Sequence, residues 1–254
     1  MNVLELERQY LFAINRYLNG TTNPDLLPYL VLQDRVTPRY WNCVDIERAK
    51  GNILWTSINP SERPIGPTAN VRFNMKWEEL SASDTYWCSL KQKVKNVIDI
   101  CGHMDLLPLH IGIESNVHNI LFTKDNSPEI QLAGTLLRSS QEMIESLHPR
   151  LIIHSNSSSD FLWGTKANKG IFWFGYILEE VSGFDELDCW RKGKGRRNLY
   201  QIKGICPESI KEEKNTKLHG TYLLVDYQVG TRMATKSITD KDVERLWSWV
   251  LKNQ

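Results

Sequence analysis

The sequence predicts an α/β fold, a three-layer α/β/α sandwich with a mostly parallel central sheet, on three observations. Short β-prone apolar runs at 52–58, 104–109, 151–154 and 222–225 each stop abruptly at polar or Pro-containing turn residues. Between them lie stretches whose apolar residues recur at helical spacing. Strands that alternate with helices imply parallel pairing with both sheet faces covered.

Taken in order, 3–18 carries Leu4, Leu11, Ile14 and Leu18 at helical spacing and is followed by Gly20, so an amphipathic helix ends there. A linking segment with Pro24, Pro28 and Pro38 follows, which makes 1–50 an N-terminal helical extension to a single domain spanning 1–254. The first strand, 52–58, runs into Asn59-Pro60. The stretch 61–74, with Pro64, Gly66 and Pro67, has no periodicity and reads as a surface loop of the kind that often carries function.

Asp84 is placed to cap a helix through Trp87, Leu90, Val94, Val97 and Ile98, and Gly102 is expected to break it before the second strand at 104–109. Pro128-Glu129 opens a helix whose apolar face holds Ile130, Leu132, Ala133, Leu136, Leu137, Met143, Ile144 and Leu147; His148-Pro149 closes it. The strand at 151–154 leads through Ser155–Asp160 to a short apolar helix near Phe161. The stretch 171–181 is strand-like, and 188–197 is polar. After the strand at 222–225, a helix over 239–253 is capped by Thr239, with Val243, Leu246, Trp247 and Val250 inward.

Composition bounds the function. With 31 basic and 30 acidic residues the net charge is +1, so bulk electrostatics hold neither nucleic acid nor membrane and any such surface is local. The nine Trp, several of them within apolar runs, read as core and helix-face packing. Five scattered Cys without paired spacing read as free thiols, and no apolar run reaches the roughly 20 residues of a membrane span. With Glu5 and Glu7 near the start of the sequence, a reducing cytoplasmic setting is expected.

In an open α/β sheet, ligands gather where strand ends feed loops. That singles out Asn59, His110, His154, Asn156 and Asp226. The Asn59 amide has the donor and acceptor needed to hold a water or a base edge, and Pro60 stiffens the turn that aims it; the same dipeptide also serves as an ordinary turn. His110 and His154 are candidates for contact with a base or leaving group, or else core histidines with satisfied ring nitrogens. Cys101, His103, His110 and His118 match no standard metal spacing, so no metal site is expected. Arg191, Lys192, Lys194, Arg196 and Arg197 place five cations in seven residues with glycines between; they suit a phosphate backbone or a solvated loop equally, and Arg232 is a further candidate phosphate contact.

The apolar strand, Ser57-Ile58-Asn59-Pro60-Ser61, irregular Gly/Pro loop and aromatic at Phe73 together resemble the uracil-DNA glycosylase superfamily, especially its mismatch-specific branch, whose first motif reads Gly-Ile-Asn-Pro-Gly. The layout is similar over roughly 50–250, with the specific motif confined to Asn59-Pro60. The resemblance implies that Asn59 orients the water that attacks the sugar carbon and that Phe73 stacks on a base flipped out of DNA or already single-stranded. Two departures stand out: Ser57 and Ser61 replace glycines, and Asp226-Tyr227-Gln228 occupies the place of a second motif that ordinarily reads His-Pro-Ser or Asn-Pro-Ser. The expected activity is hydrolysis of the N-glycosidic bond of uracil or another damaged base without metal or organic cofactor, with Asp226 either supplying negative charge or standing as a solvated strand-end carboxylate. The alternative is a catalytically inactive member of the fold that binds nucleic acid, a nucleotide or a partner protein.

Overall fold

The computed structural model describes residues 1–20, 43–58, 73–80, 85–108, 127–155, 159–165, 174–182, 198–226 and 237–254. These form a mixed α/β structure: four helices and one eight-stranded sheet. The helices are α1 (Val3–Gly20), α2 (Thr85–Val94), α3 (Pro128–Leu147) and α4 (Asp240–Lys252). The strands are β1 (Cys43–Val44), β2 (Ile53–Ser57), β3 (Asn74–Met75), β4 (Cys101–Asp105), β5 (Leu151–Ser155), β6 (Tyr176–Glu180), β7 (Asn198–Ile205) and β8 (Tyr222–Asp226), arranged β3-β1-β4-β2-β5-β8-β7-β6.

Its centre, β4-β2-β5-β8, is parallel throughout, and every residue of those four strands is buried. Alternate side chains feed two separate cores. Leu54, Met104, Ile152, Leu223 and Val225 join α1 and α3 on one face. Ile53, Trp55, Cys101, Leu151, Ile153 and Leu224 join α2 and α4 on the other. Helices therefore cover both faces, and the near-continuous apolar runs follow from that double burial. Antiparallel pairing flanks the centre: β1 with β4, β7 with β8 and β6 with β7.

Helix ends follow their local chemistry. Ser127 Oγ accepts the Ile130 N–H ahead of Pro128, and His148 in the left-handed conformation (φ 48°) donates its N–H to Ile144 before Pro149 stops the chain. At α4, Thr239 and Asp242 make the reciprocal box expected from Thr239.

Three expectations need correction. The second strand is Cys101–Asp105, not 104–109, and Gly102 lies inside it rather than breaking a helix: a Cβ there would sit 2.8 Å from the Asp45 carbonyl and 2.9 Å from Ile46 Cα, where a 3-10 turn (Ile46–Ala49) crosses the strand. The α1 inner face is Leu6, Tyr10, Ala13, Ile14 and Tyr17, leaving Leu4 exposed. The two tyrosines set that rotation, because their hydroxyls meet Ser140 and Glu129 of α3 while their rings pack. The short helix near Phe161 is a single 3-10 turn, Asp160–Trp163.

A buried carboxylate joins α3 to the chain between β7 and β8. Glu145 accepts hydrogen bonds from the Tyr176 hydroxyl, the Thr216 hydroxyl and the Lys217 N–H, and Lys211 Nζ lies 3.6 Å away. Glu145→Ala leaves these donors without an acceptor and is expected to lower the unfolding free energy by about 3 kcal/mol. Urea denaturation checks this, and a change below about 1 kcal/mol refutes the anchoring role.

Candidate functional site at the carboxyl edge

The four central strands point the same way, so their last residues form a row at one edge of the sheet: Asp105, Ser57, Ser155 and Asp226. In chain order the central strands run second-first-third-fourth, and direction of travel reverses between β2 and β5. In open α/β sheets ligands gather at such a switch point, beyond the carboxyl ends of the strands. Asn59 follows β2 by two residues and Asn156 follows β5 by one, so both switch-point strands lead into an asparagine.

Towards α2, the Ser57 hydroxyl is the hub of a buried network. It donates to Asp105 Oδ1 at 2.5 Å and lies 3.1 Å from both His103 Nε2 and the Tyr86 hydroxyl. Ser57 has one proton, and Asp105 takes it. The serine oxygen is then left to accept, from His103 Nε2 where that nitrogen carries the ring proton and from the Tyr86 hydroxyl, which also lies 3.4 Å from Nε2. His103 Nδ1 is fully buried and, among the described residues, without a hydrogen-bond partner. The ring stands edge-on to Trp87 with centroids 5.0 Å apart.

These are the residue types of a nucleophilic triad in a different arrangement. Asp105 binds the serine rather than orienting the histidine, and Oδ1 is 3.9 Å from His103 Nε2. Ser57 gives its proton to the carboxylate rather than to the histidine, so the arrangement is not that of an activated serine nucleophile. The network fixes geometry: it ties the last residue of β2 to β4 and α2, two residues ahead of Asn59 in the sequence.

On the opposite face, His154 closes a second clamp. Its Nδ1 is 3.0 Å from Thr56 Oγ1 and its Nε2 is 2.8 Å from Ser159 Oγ, so both ring nitrogens have hydroxyl partners and the ring is fully buried against Trp163. Between the two clamps, Trp55 Nε1 donates to Ser155 Oγ. Asp226 is also fully buried, and its Oδ2 accepts the Ser237 hydroxyl at 2.5 Å and the Ile238 N–H at 2.9 Å, pinning the entry to α4. Phe73 is 5 % exposed and packs edge-on to Tyr10, so stacking on a base would require its ring to leave that contact.

The structure thus brings His154 and Asp226 to the carboxyl edge and seats Phe73 in the core beside α1. Asn59, His110, Asn156, Arg191, Lys192, Lys194, Arg196, Arg197 and Arg232 lie outside the described residues. Sequence reasoning missed His103, Asp105 and Tyr86 as partners of Ser57. The signal was there: His103 and Asp105 are two apart, hence on one face of a strand, once that strand is placed at 101–105. Among the described residues, no group of three or more His, Cys, Asp or Glu is arranged to hold a metal ion.

Fold and edge together define a class: a mixed α/β protein with a parallel centre and a hydrogen-bonded polar row at the strand ends. No protein-family model matches the chain, and no curated protein matches it either.

Burial holds the His103 imidazole neutral, its pKa pushed down to about 3 from 6.5. Between those values the unfolded chain binds a proton that the folded chain excludes, so the stability associated with this residue is complete above about pH 6.5 and declines on acidification. From pH 7 to pH 5 the unfolding free energy is expected to fall about 2 kcal/mol further in the wild type than in His103→Gln. Parallel pH profiles for the two proteins refute the neutral buried imidazole.

Proposed function

We propose that the chain is a DNA glycosylase-like protein, a three-layer α/β/α domain that recognises a nucleobase at its carboxyl edge and hydrolyses the N-glycosidic bond of uracil or another damaged base in the reducing cytoplasm. The observation that carries this reading is the switch point between β2 and β5, with Asn59-Pro60 following in the sequence, two residues past the strand end that is locked through Ser57. Excision passes through a cationic sugar, and much of the acceleration comes from positioning the base, a water and nearby negative charge. Asn59 holds the water. Asp226 supplies charge through space, its carboxylate held still by Ser237 and Ile238. The base must leave the stack to reach the switch point, since a duplex shields the glycosidic carbon.

A second reading, a binding protein of the same fold without catalysis, is favoured by the internal contacts of Asp226, His154 and Phe73. Incubation with duplexes containing uracil, a U:G mismatch or hypoxanthine, followed by alkaline cleavage, separates the two. The enzyme yields abasic sites on at least one substrate, with a loss of about 100-fold in Asn59→Ala. Absence of product from the wild type on all three removes the enzymatic reading. The binder instead shows salt-dependent affinity for oligonucleotides that weakens when the cations of 191–197 are neutralised, with no base released.

A further inference from the structure

A cleft of about 240 Å³ lies between the C-terminal half of α1 and the N-terminal half of α3, lined by Phe12, Arg16, Tyr17, Gln131 and Thr135 among others. Its position relative to the sheet follows from hydrogen bonds. The Leu147 carbonyl at the end of α3 accepts from Gly51, just ahead of β2, whereas Ser140 Oγ donates to the Leu106 carbonyl, one residue beyond β4. α3 is therefore antiparallel to the central strands, and its residues before Ser140 overhang the carboxyl edge. At 1.5 Å per residue, Thr135 and Gln131 stand roughly 7 and 13 Å beyond it. α1 runs antiparallel to α3, since Tyr10 meets Ser140 and Tyr17 meets Glu129, so Phe12 and Arg16 overhang the same edge.

The lining chemistry is specific. Phe12 is 68 % exposed, a large aromatic ring left in water beside a concave surface. Arg8, Phe12 and Arg16 are spaced by four and share one outer face of α1, and among the described residues neither arginine forms an ion pair with a carboxylate. The nearby Glu129 carboxylate is held by the Tyr17 hydroxyl. Gln131 contributes an exposed amide, and Thr135 a hydroxyl whose proton goes to the Gln131 carbonyl, leaving its oxygen to accept. An aromatic face between two cations, with amide and hydroxyl groups opposite, suits a planar, hydrogen-bonding, anionic ligand. The volume is below the roughly 300–1,000 Å³ that accommodates drug-sized molecules, so it suits a single base.

We infer that this cleft is a second nucleotide subsite, in which Phe12 stacks on one base of a single strand whose phosphates lie along Arg8 and Arg16, at the same carboxyl edge of the sheet as the switch point. The inference rests on the nucleic-acid reading above and adds a place and a residue set for a neighbouring nucleotide.

The test is fluorescence anisotropy with a labelled single-stranded oligothymidine and the full chain. Phe12→Ala is expected to weaken binding roughly 5- to 150-fold while Phe12→Trp stays within about twofold of wild type. Arg16→Gln is expected to reduce the slope of log affinity against log salt by about 0.7. Both side chains are exposed, and thermal unfolding at the wild-type temperature confirms that each variant is folded. If the wild type binds but Phe12→Ala and Arg16→Gln bind as it does, the subsite is refuted and the nucleic-acid reading stands. If polyglutamate displaces the oligonucleotide as well as unlabelled oligothymidine does, the cleft is a generic anion surface and the inference falls. If the wild type does not bind, both fall. Retained, Phe12-dependent binding without excision of any base upholds the subsite and overturns only the glycosylase chemistry.

Discussion

The parallel pairing of β2 with β4 and β5 is the constraint on which the rest depends. All five residues of β2 are buried, its side chains feed both hydrophobic cores, and its backbone is bonded on both edges. A strand in that position has no solvent to satisfy polar groups, so each polar side chain at its carboxyl end needs an internal partner. Ser57 and Thr56 find theirs on opposite faces, and so the edge carries two clamps. The site is thus a consequence of the burial rather than an addition to it.

The same requirement organises the flanking elements. Asp226 at the end of β8 collects the groups that enter α4, and Lys93 and Lys95 of the α2 region reach the Ile238 carbonyl and Asp240 at that helix start. On the other face, Ser140 links α1, α3 and the chain after β4 through a single hydroxyl. Charged and hydroxyl groups at helix ends and strand ends thereby set how the layers meet, while the apolar faces supply the driving force.

Much of this was legible in the sequence. Pro128 with Ser127 before it, and His148-Pro149 after Leu147, mark both ends of α3 because capping chemistry is local. Thr239 before Asp242 marks α4 in the same way. The runs at 52–58, 151–154 and 222–225 are short, apolar and sharply bounded, and they coincide with β2, β5 and β8. What could not be read locally depends on distant contacts. Gly102 looks like a breaker until the chain at Asp45–Ile46 is laid against it, and β7 is half-exposed, so its alternation is weak. The face of α1 is set by α3's Ser140 and Glu129, more than 100 residues away in sequence. His103 and Asp105 gain meaning only when β4 is registered beside Ser57.

The Ser57 hub also couples its members energetically. Ser57, His103 and Asp105 are buried and hydrogen-bond through the serine hydroxyl, with the half-buried Tyr86 at the margin. Losing any one strands a buried polar group, while exchanging the whole set for apolar side chains of similar shape leaves none stranded. Their substitution effects are therefore strongly non-additive. A single exchange at Ser57, His103 or Asp105 is therefore expected to cost more than its share of a concerted replacement of the whole set.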